Sequence, residues 1–122
     1  MFLKKSASAP GPLSYTLAVT SQIGDYLMTG HDRNSAYTAK TDPVLTIKKG
    51  DTINFEMNAS GHPFWIKTSQ TTGTGNQYNT GVTNNGTATG GTITWDTSAV
   101  PVGTYYYICQ LHGSMTGSIF IT

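Results

Sequence analysis

The sequence predicts an all-β protein, a Greek-key β-sandwich of about seven or eight short strands. Three observations predict it. Apolar residues recur at every second position in run after run, which is the period of a strand with one buried face. Gly, Thr, Ser and Asn dominate while strong helix formers are scarce, a mix that favours strands and turns. Turn signals cut the chain into short segments at the spacing a sandwich needs.

The elements follow in chain order. Tyr15, Leu17 and Val19 alternate with Thr16, Ala18 and Thr20. Leu45 and Ile47 obey the same rule, and Ile53, Phe55 and Met57 against Thr52, Asn54 and Glu56 are its cleanest case. Phe64 and Ile66 frame Trp65, Ile93 and Trp95 frame Thr94, and Ile119 and Ile121 frame Phe120. Alternation with one polar face is the signature of antiparallel pairing. Lys49-Gly50-Asp51, Ser60-Gly61, Thr89-Gly90-Gly91 and Pro101-Val102-Gly103 are the breaks between runs. In Tyr105-Tyr106-Tyr107 the middle ring is expected on the face opposite its neighbours. No segment reads as a helix and no fixed repeat is present. Ser69 to Gly91 is polar, Gly-rich and too long for an ordinary sandwich connection. It is expected to be a surface excursion with a short strand near Tyr78 to Val82, the alternative being a partner-binding loop. Asn58-Ala59-Ser60 and Asn85-Gly86-Thr87 match the N-glycosylation pattern, a chance match in so Asn- and Thr-rich a chain.

Length and charge exclude several functions. The chain's 122 residues make one domain. Residues 1–12, ending in Ser6-Ala7-Ser8-Ala9-Pro10-Gly11-Pro12, read as a flexible lead-in or linker remnant, and residues 13–122 as the domain. Lys4 and Lys5 are not followed by an apolar stretch, so no signal peptide is visible. The net charge is +1 and charged residues are 11% of the chain, so there is no basic patch for nucleic acid. Apolar runs such as Ala99 to Val102 are far too short to span a bilayer. A single cysteine, Cys109, rules out an internal disulfide. A monomer is expected.

The chemistry concentrates in Tyr105-Tyr106-Tyr107-Ile108-Cys109-Gln110-Leu111-His112-Gly113-Ser114-Met115-Thr116-Gly117. Taken singly, a cysteine, a histidine or a methionine is most often a packing residue. Here Cys109, His112 and Met115 stand at three-residue steps where a strand runs out. His62, in Ser60-Gly61-His62-Pro63-Phe64, opens a strand after a turn and can reach the same pole of a sandwich. Two imidazoles, a thiolate and a weak thioether suit copper in a trigonal His₂Cys arrangement with a long axial Met. Structural zinc takes four strong ligands, and a thioether is a poor one. His31 lies among Gly30, Asp32 and Asn34 and reads as a solvated loop histidine.

These residues resemble the cupredoxins, the small blue-copper electron carriers such as plastocyanin and amicyanin. The resemblance runs from about Tyr15 to Thr122. It rests on the Tyr-x-Tyr-x-Cys-x-x-His-x-x-Met-x-Gly run, on the upstream His62 and on the preceding Lys48-Lys49-Gly50-Asp51-Thr52-Ile53-Asn54-Phe55 strand; the short Cys-His-Met spacing is most like amicyanin. It implies one Cu(I)/Cu(II) per chain, held by His62, Cys109 and His112 with Met115 axial. It also implies an extracytoplasmic site of action. One departure stands out: most small cupredoxins follow the first histidine with Asn, whose N–H reaches the ligand sulfur. Pro63 has no N–H, so a donor that tunes the metal is expected to be missing. His-Pro-Phe is similar instead to the type 1 site of multicopper oxidases. With Trp65 and Lys67 at the alternating positions and three histidines in all, however, no three-copper cluster can form.

The leading expectation is therefore one-electron transfer without enzymatic activity. Electrons would pass through His112, and protein redox partners would dock weakly on the uncharged surface made by Leu111, Gly113, Gly61 and Pro63. The alternative is a structural or attachment module of a larger phage or extracellular surface protein, with copper structural or absent. A cysteine hydrolase would need Cys109 and His112 as nucleophile and base, and leaves His62 and Met115 unexplained.

Overall fold

The computed structural model describes residues 11–122. The expected lead-in lies almost wholly outside the described residues. Among the described residues ten strands, several of them very short, carry the fold: β1 Ser14–Gln22, β2 Asp25–His31, β3 Ala36–Thr41, β4 Leu45–Ile47, β5 Thr52–Asn58, β6 Phe64–Lys67, β7 Val82–Thr83, β8 Thr89–Asp96, β9 Gly103–Cys109 and β10 Thr116–Ile121. They form two sheets, one ordered β3-β2-β1-β5-β8-β7 and the other β4-β10-β9-β6. The runs read from period-two alternation each fall within a strand. β2 and β3 are additional. Their signal is short, Tyr26 and Met28 in β2 and one half-buried Tyr37 in β3.

The expectation of purely antiparallel pairing needs correcting. β1 runs parallel to β5 and β4 parallel to β10, so both sheets are mixed. Alternation reports that one face of a strand is polar, not which way its neighbour runs. β1 and β5 each keep a solvated face while pairing in parallel, so the pattern could not separate the two cases.

The core lies between the sheets. Leu17, Met28, Ile53, Phe55, Ile93 and Trp95 enter from the six-stranded sheet, and Phe64, Ile66, Tyr107, Ile119 and Ile121 from the other; all are buried. Phe64 is its aromatic centre. It stacks on Tyr107 at 5.1 Å and takes the edge of Tyr26 at 5.0 Å. The buried polar tips have acceptors: Tyr107 Oη donates to Pro43 O at 2.7 Å and Trp95 Nε1 to Thr80 O at 3.1 Å. Gly117 pairs with Tyr107 across β9 and β10, and a Cβ there would run into the Tyr107 ring and hydroxyl. As expected, Tyr106 points away from Tyr105 and Tyr107, which are both buried.

At the pole away from Cys109, the Lys48–Asp51 turn closes on a carboxylate node. Asp51 accepts N–H groups from Leu13 and Lys48 and two Arg33 guanidinium donors. Burial alone would raise its pKa, but the Arg33 hydrogen bond and the backbone donors outweigh it and hold Asp51 below the ordinary carboxylate value.

The long polar excursion is less detached than its composition suggests. Its return segment packs on the outer face of the four-stranded sheet, where Trp65 lies against Gly86. Only an isolated Lys67–Gln77 bridge and the two-residue β7 replace the strand expected near Tyr78 to Val82. Asn85 is the fastener. Its Oδ1 accepts the Ile66 N–H at 2.8 Å, and its Nδ2 donates to Ile66 O, Tyr78 O and Asn79 Oδ1. An amide engaged on both sides has no place for a glycan, so the Asn85 match is structural.

Candidate metal centre

The site follows from one register. β6 and β9 are antiparallel neighbours, with Cys109 opposite Phe64. Phe64 starts β6 only two residues after His62, so the pairing carries His62 to the end of β9. After Cys109 the chain turns: Cys109 N–H donates to Met115 O at 2.9 Å, and Met115 N–H to His112 O at 3.2 Å. That closed turn brings His112 back over the sulfur.

The three donor residues converge. His112 Nδ1 lies 3.4 Å and His62 Nδ1 3.7 Å from Cys109 Sγ. The ligand atoms of His62, Cys109 and His112 all fall within 4.8 Å of one another. An ion bonded to a ring nitrogen at about 2.1 Å and to a thiolate at about 2.3 Å, at an angle of about 110°, holds those two atoms about 3.6 Å apart. The observed separations bracket that figure, so the donor set fits a transition metal. Two imidazoles and one thiolate, with Met115 fully buried on the same turn, favour copper over a four-ligand zinc site.

Burial is graded across the set. Cys109 is inaccessible, His62 half-buried and His112 exposed. A sealed thiol flanked by two imidazoles offers an acyl substrate no open approach, which counts against the hydrolase alternative. Leu111 and Gly113, the chain neighbours of His112, and Gly61, the neighbour of His62, are exposed and uncharged.

The missing N–H at Pro63 has a definite consequence. The next amide, Phe64 N–H, donates to Thr87 O at 3.2 Å, so the upstream segment sends no backbone donor to the sulfur. Leu111 N–H, at 3.5 Å, is the backbone donor that Cys109 Sγ does receive.

Two residues that sequence reasoning passed over hold the ligands in place. Tyr26 reaches across from β2 and its hydroxyl donates to His62 O at 2.8 Å. Burial, and after it the neighbouring Cys109 thiol, push the Tyr26 pKa far above the ordinary tyrosine value, so the hydroxyl stays a donor. Gln110, between the ligands, donates its N–H to Pro63 O at 2.9 Å and accepts Trp65 Nε1–H on its side chain at 3.0 Å. Tyr26 and Met28 alternate in sequence and could have marked the strand; nothing in the sequence could have marked the Gln110 contacts. His31 lies elsewhere, exposed at the end of β2, with Nδ1 3.4 Å from Asp32 O and its ring edge-on to Tyr15. It is outside the three-residue group and exposed as expected, but it ends a strand and does not lie in the loop its Gly, Asp and Asn neighbours implied.

No protein-family model matches the chain, and no curated protein sequence matches it significantly. Solved structures do match. Rusticyanin from Thiobacillus ferrooxidans superposes with a TM-score of 0.60 at 18% identity, over 94% of this chain and 85% of that one. A second structure, described as the copper protein rusticyanin, gives 0.59 at 19% identity over 94% and 86%. Reduced rusticyanin gives 0.57 at 21% over 93% and 82%. At such identities the likeness is one of fold, and it spans nearly the whole described chain.

Proposed function

We propose, from the cupredoxin fold that this chain has and the donor set it carries, that the protein is a mononuclear type 1 copper protein that carries single electrons. The observation that carries this reading is the convergence of His62, Cys109 and His112 at the end of β9 in a fold shared with copper proteins. Met115, buried on the same turn, would be the fourth and weakest of the residues that hold the copper. Copper there would supply a one-electron couple, Cu(II)/Cu(I).

The chain's own residues do the rest. Cys109, at the strand end and sealed from solvent, anchors the set where water is excluded. Tyr26 and Gln110 fix the two ligand segments to each other and to both sheets, so the donors change position little when the charge changes by one. A rigid donor set of mixed softness is acceptable to both oxidation states, which favours rapid exchange. His112 presents its exposed ring as the port. Leu111, 60% exposed, stands beside it, and no charged side chain flanks it in the sequence from Gly61 to Pro63 or from Leu111 to Met115. Docking of a protein redox partner there is weak and little steered by charge. An enzymatic role is not part of this reading, and an extracytoplasmic site of action is inferred from the fold likeness. Among the described residues no helix is long and apolar enough to cross a membrane. The attachment-module alternative accounts for three donors sharing one focus only with copper as a structural metal.

Cyclic voltammetry of the copper-loaded protein tests the function: a reversible one-electron wave is expected. Copper that binds but cannot be cycled would leave a structural metal instead.

A further inference from the structure

Among the described residues Lys67 is the only fully buried cation, and its ammonium has no carboxylate within ion-pairing distance. It lies at the end of β6, opposite Tyr106 of β9 and on the face turned away from the core. Burying an unpaired charge is unfavourable, and an apolar side chain of the same length would avoid that cost. The surroundings show what the ammonium does instead. Nζ donates to Thr71 O at 2.6 Å and to Gly73 O at 2.9 Å. The same loop then grips the metal centre. Gly73 N–H donates to Gln110 O at 2.8 Å, and the Thr72 methyl sits 3.7 Å from where a side chain at Gly113 would begin. Two hydrogen bonds thus connect the ammonium, through Gly73, to the residue next to Cys109. Burial lowers the Lys67 pKa from the ordinary lysine value, while the two carbonyl acceptors favour the charged form.

We propose that Lys67 is a positioning residue of the centre: its ammonium fastens loop 71–73 onto the Cys109–His112 turn, and its buried positive charge raises the centre's reduction potential. The fastening follows from the hydrogen bonds. The tuning follows from Coulomb's law, since reduction lowers the positive charge of the centre by one and a fixed cation two hydrogen bonds from the ligand turn favours the less positive state. Beneath the covering loop that interaction is screened less by salt than one between exposed charges. The second half rests on the copper reading; the first does not.

Three variants separate the effects. Lys67→Gln keeps a donor without the charge, Lys67→Met removes both, and Lys67→Arg keeps the charge. With copper bound, the Gln and Met proteins are expected to keep the visible band but show lower potentials, with Arg close to the wild type. In metal-free protein, amide hydrogen exchange at Gly73 is expected to speed at least tenfold in the Met variant. Unchanged potentials in both Gln and Met overturn the tuning, and unchanged exchange at Gly73 overturns the fastening. Should the variants fail to fold, ¹H–¹⁵N spectroscopy of the wild-type Lys67 side chain decides the charge. A slowly exchanging ammonium at pH 7 supports the proposal, and a neutral amine overturns the tuning. A wild-type protein that stays colourless with copper overturns the copper reading and the tuning together, while the exchange experiment still decides the fastening.

Discussion

Tyr26→Phe removes one oxygen and leaves the ring. Its hydroxyl is buried and spans from β2 to the segment that carries His62, donating to His62 O at 2.8 Å. The ring contacts with Phe64 and Tyr107 remain, so no large cavity opens. The loss is one hydrogen bond plus a carbonyl left without its partner, about 1–3 kcal/mol. For a domain of this size each kcal/mol moves the melting temperature by about 4 °C, so metal-free protein should melt about 4–12 °C lower. Differential scanning calorimetry without metal measures this directly. The same change frees the upstream ligand, so copper should also bind more weakly by equilibrium competition with a chelator. An unchanged metal-free melting temperature would show that Tyr26 does not tie the ligand segment down. Unchanged copper affinity would show that the tie does not serve the site.

Three further outcomes follow from the same geometry. Copper at 1,000 times its Kd should stabilise the fold by about 4 kcal/mol. His62→Ala should abolish most of that gain in thermal melts and His31→Ala none of it; the reverse would refute the ligand set. Met115→Leu should keep the colour and raise the potential, because losing a weak axial donor disfavours Cu(II), whereas loss of all copper would make Met115 a primary ligand. Asp42 is pushed up to about 7 by burial, with the Asp25 carboxyl adding to the shift and the Tyr26 N–H opposing it. The folded state therefore holds a proton there that the unfolded chain, titrating near 4, has released. Stability should fall as pH rises from about 4 to about 7, and Asp42→Asn should flatten that slope in denaturant melts. An unaltered slope in the Asn protein would place the effect elsewhere.

Much of the sandwich was legible because alternation is a local signal. Ile53, Phe55 and Met57 reach the core as their spacing predicts, and Phe64, Ile66, Ile119 and Ile121 do the same. Strand direction was not legible, because the β1–β5 and β4–β10 pairings depend on connections between distant segments. The three donors were legible because Cys109 ends a strand and His62 and His112 sit in turns beside strand ends, which a sandwich can bring to one pole. What holds them was not. The reach of Tyr26 to His62 spans 36 positions and that of Trp65 to Gln110 spans 45, and neither leaves a local pattern. Lys67 is the sharpest case. By composition it belongs on a solvated face. It is buried because a polar loop folds back over the sheet and needs a donor for its inward carbonyls.

The visible absorption spectrum of metal-free protein titrated with Cu(II) tests the central claim most directly. An intense red-region band that saturates at one copper per chain, and that is absent in Cys109→Ser, is the expected result. It would report a copper–thiolate bond of the kind His62, Cys109 and His112 are placed to support. Copper uptake with no such band, or a band that survives Cys109→Ser, would contradict the type 1 centre.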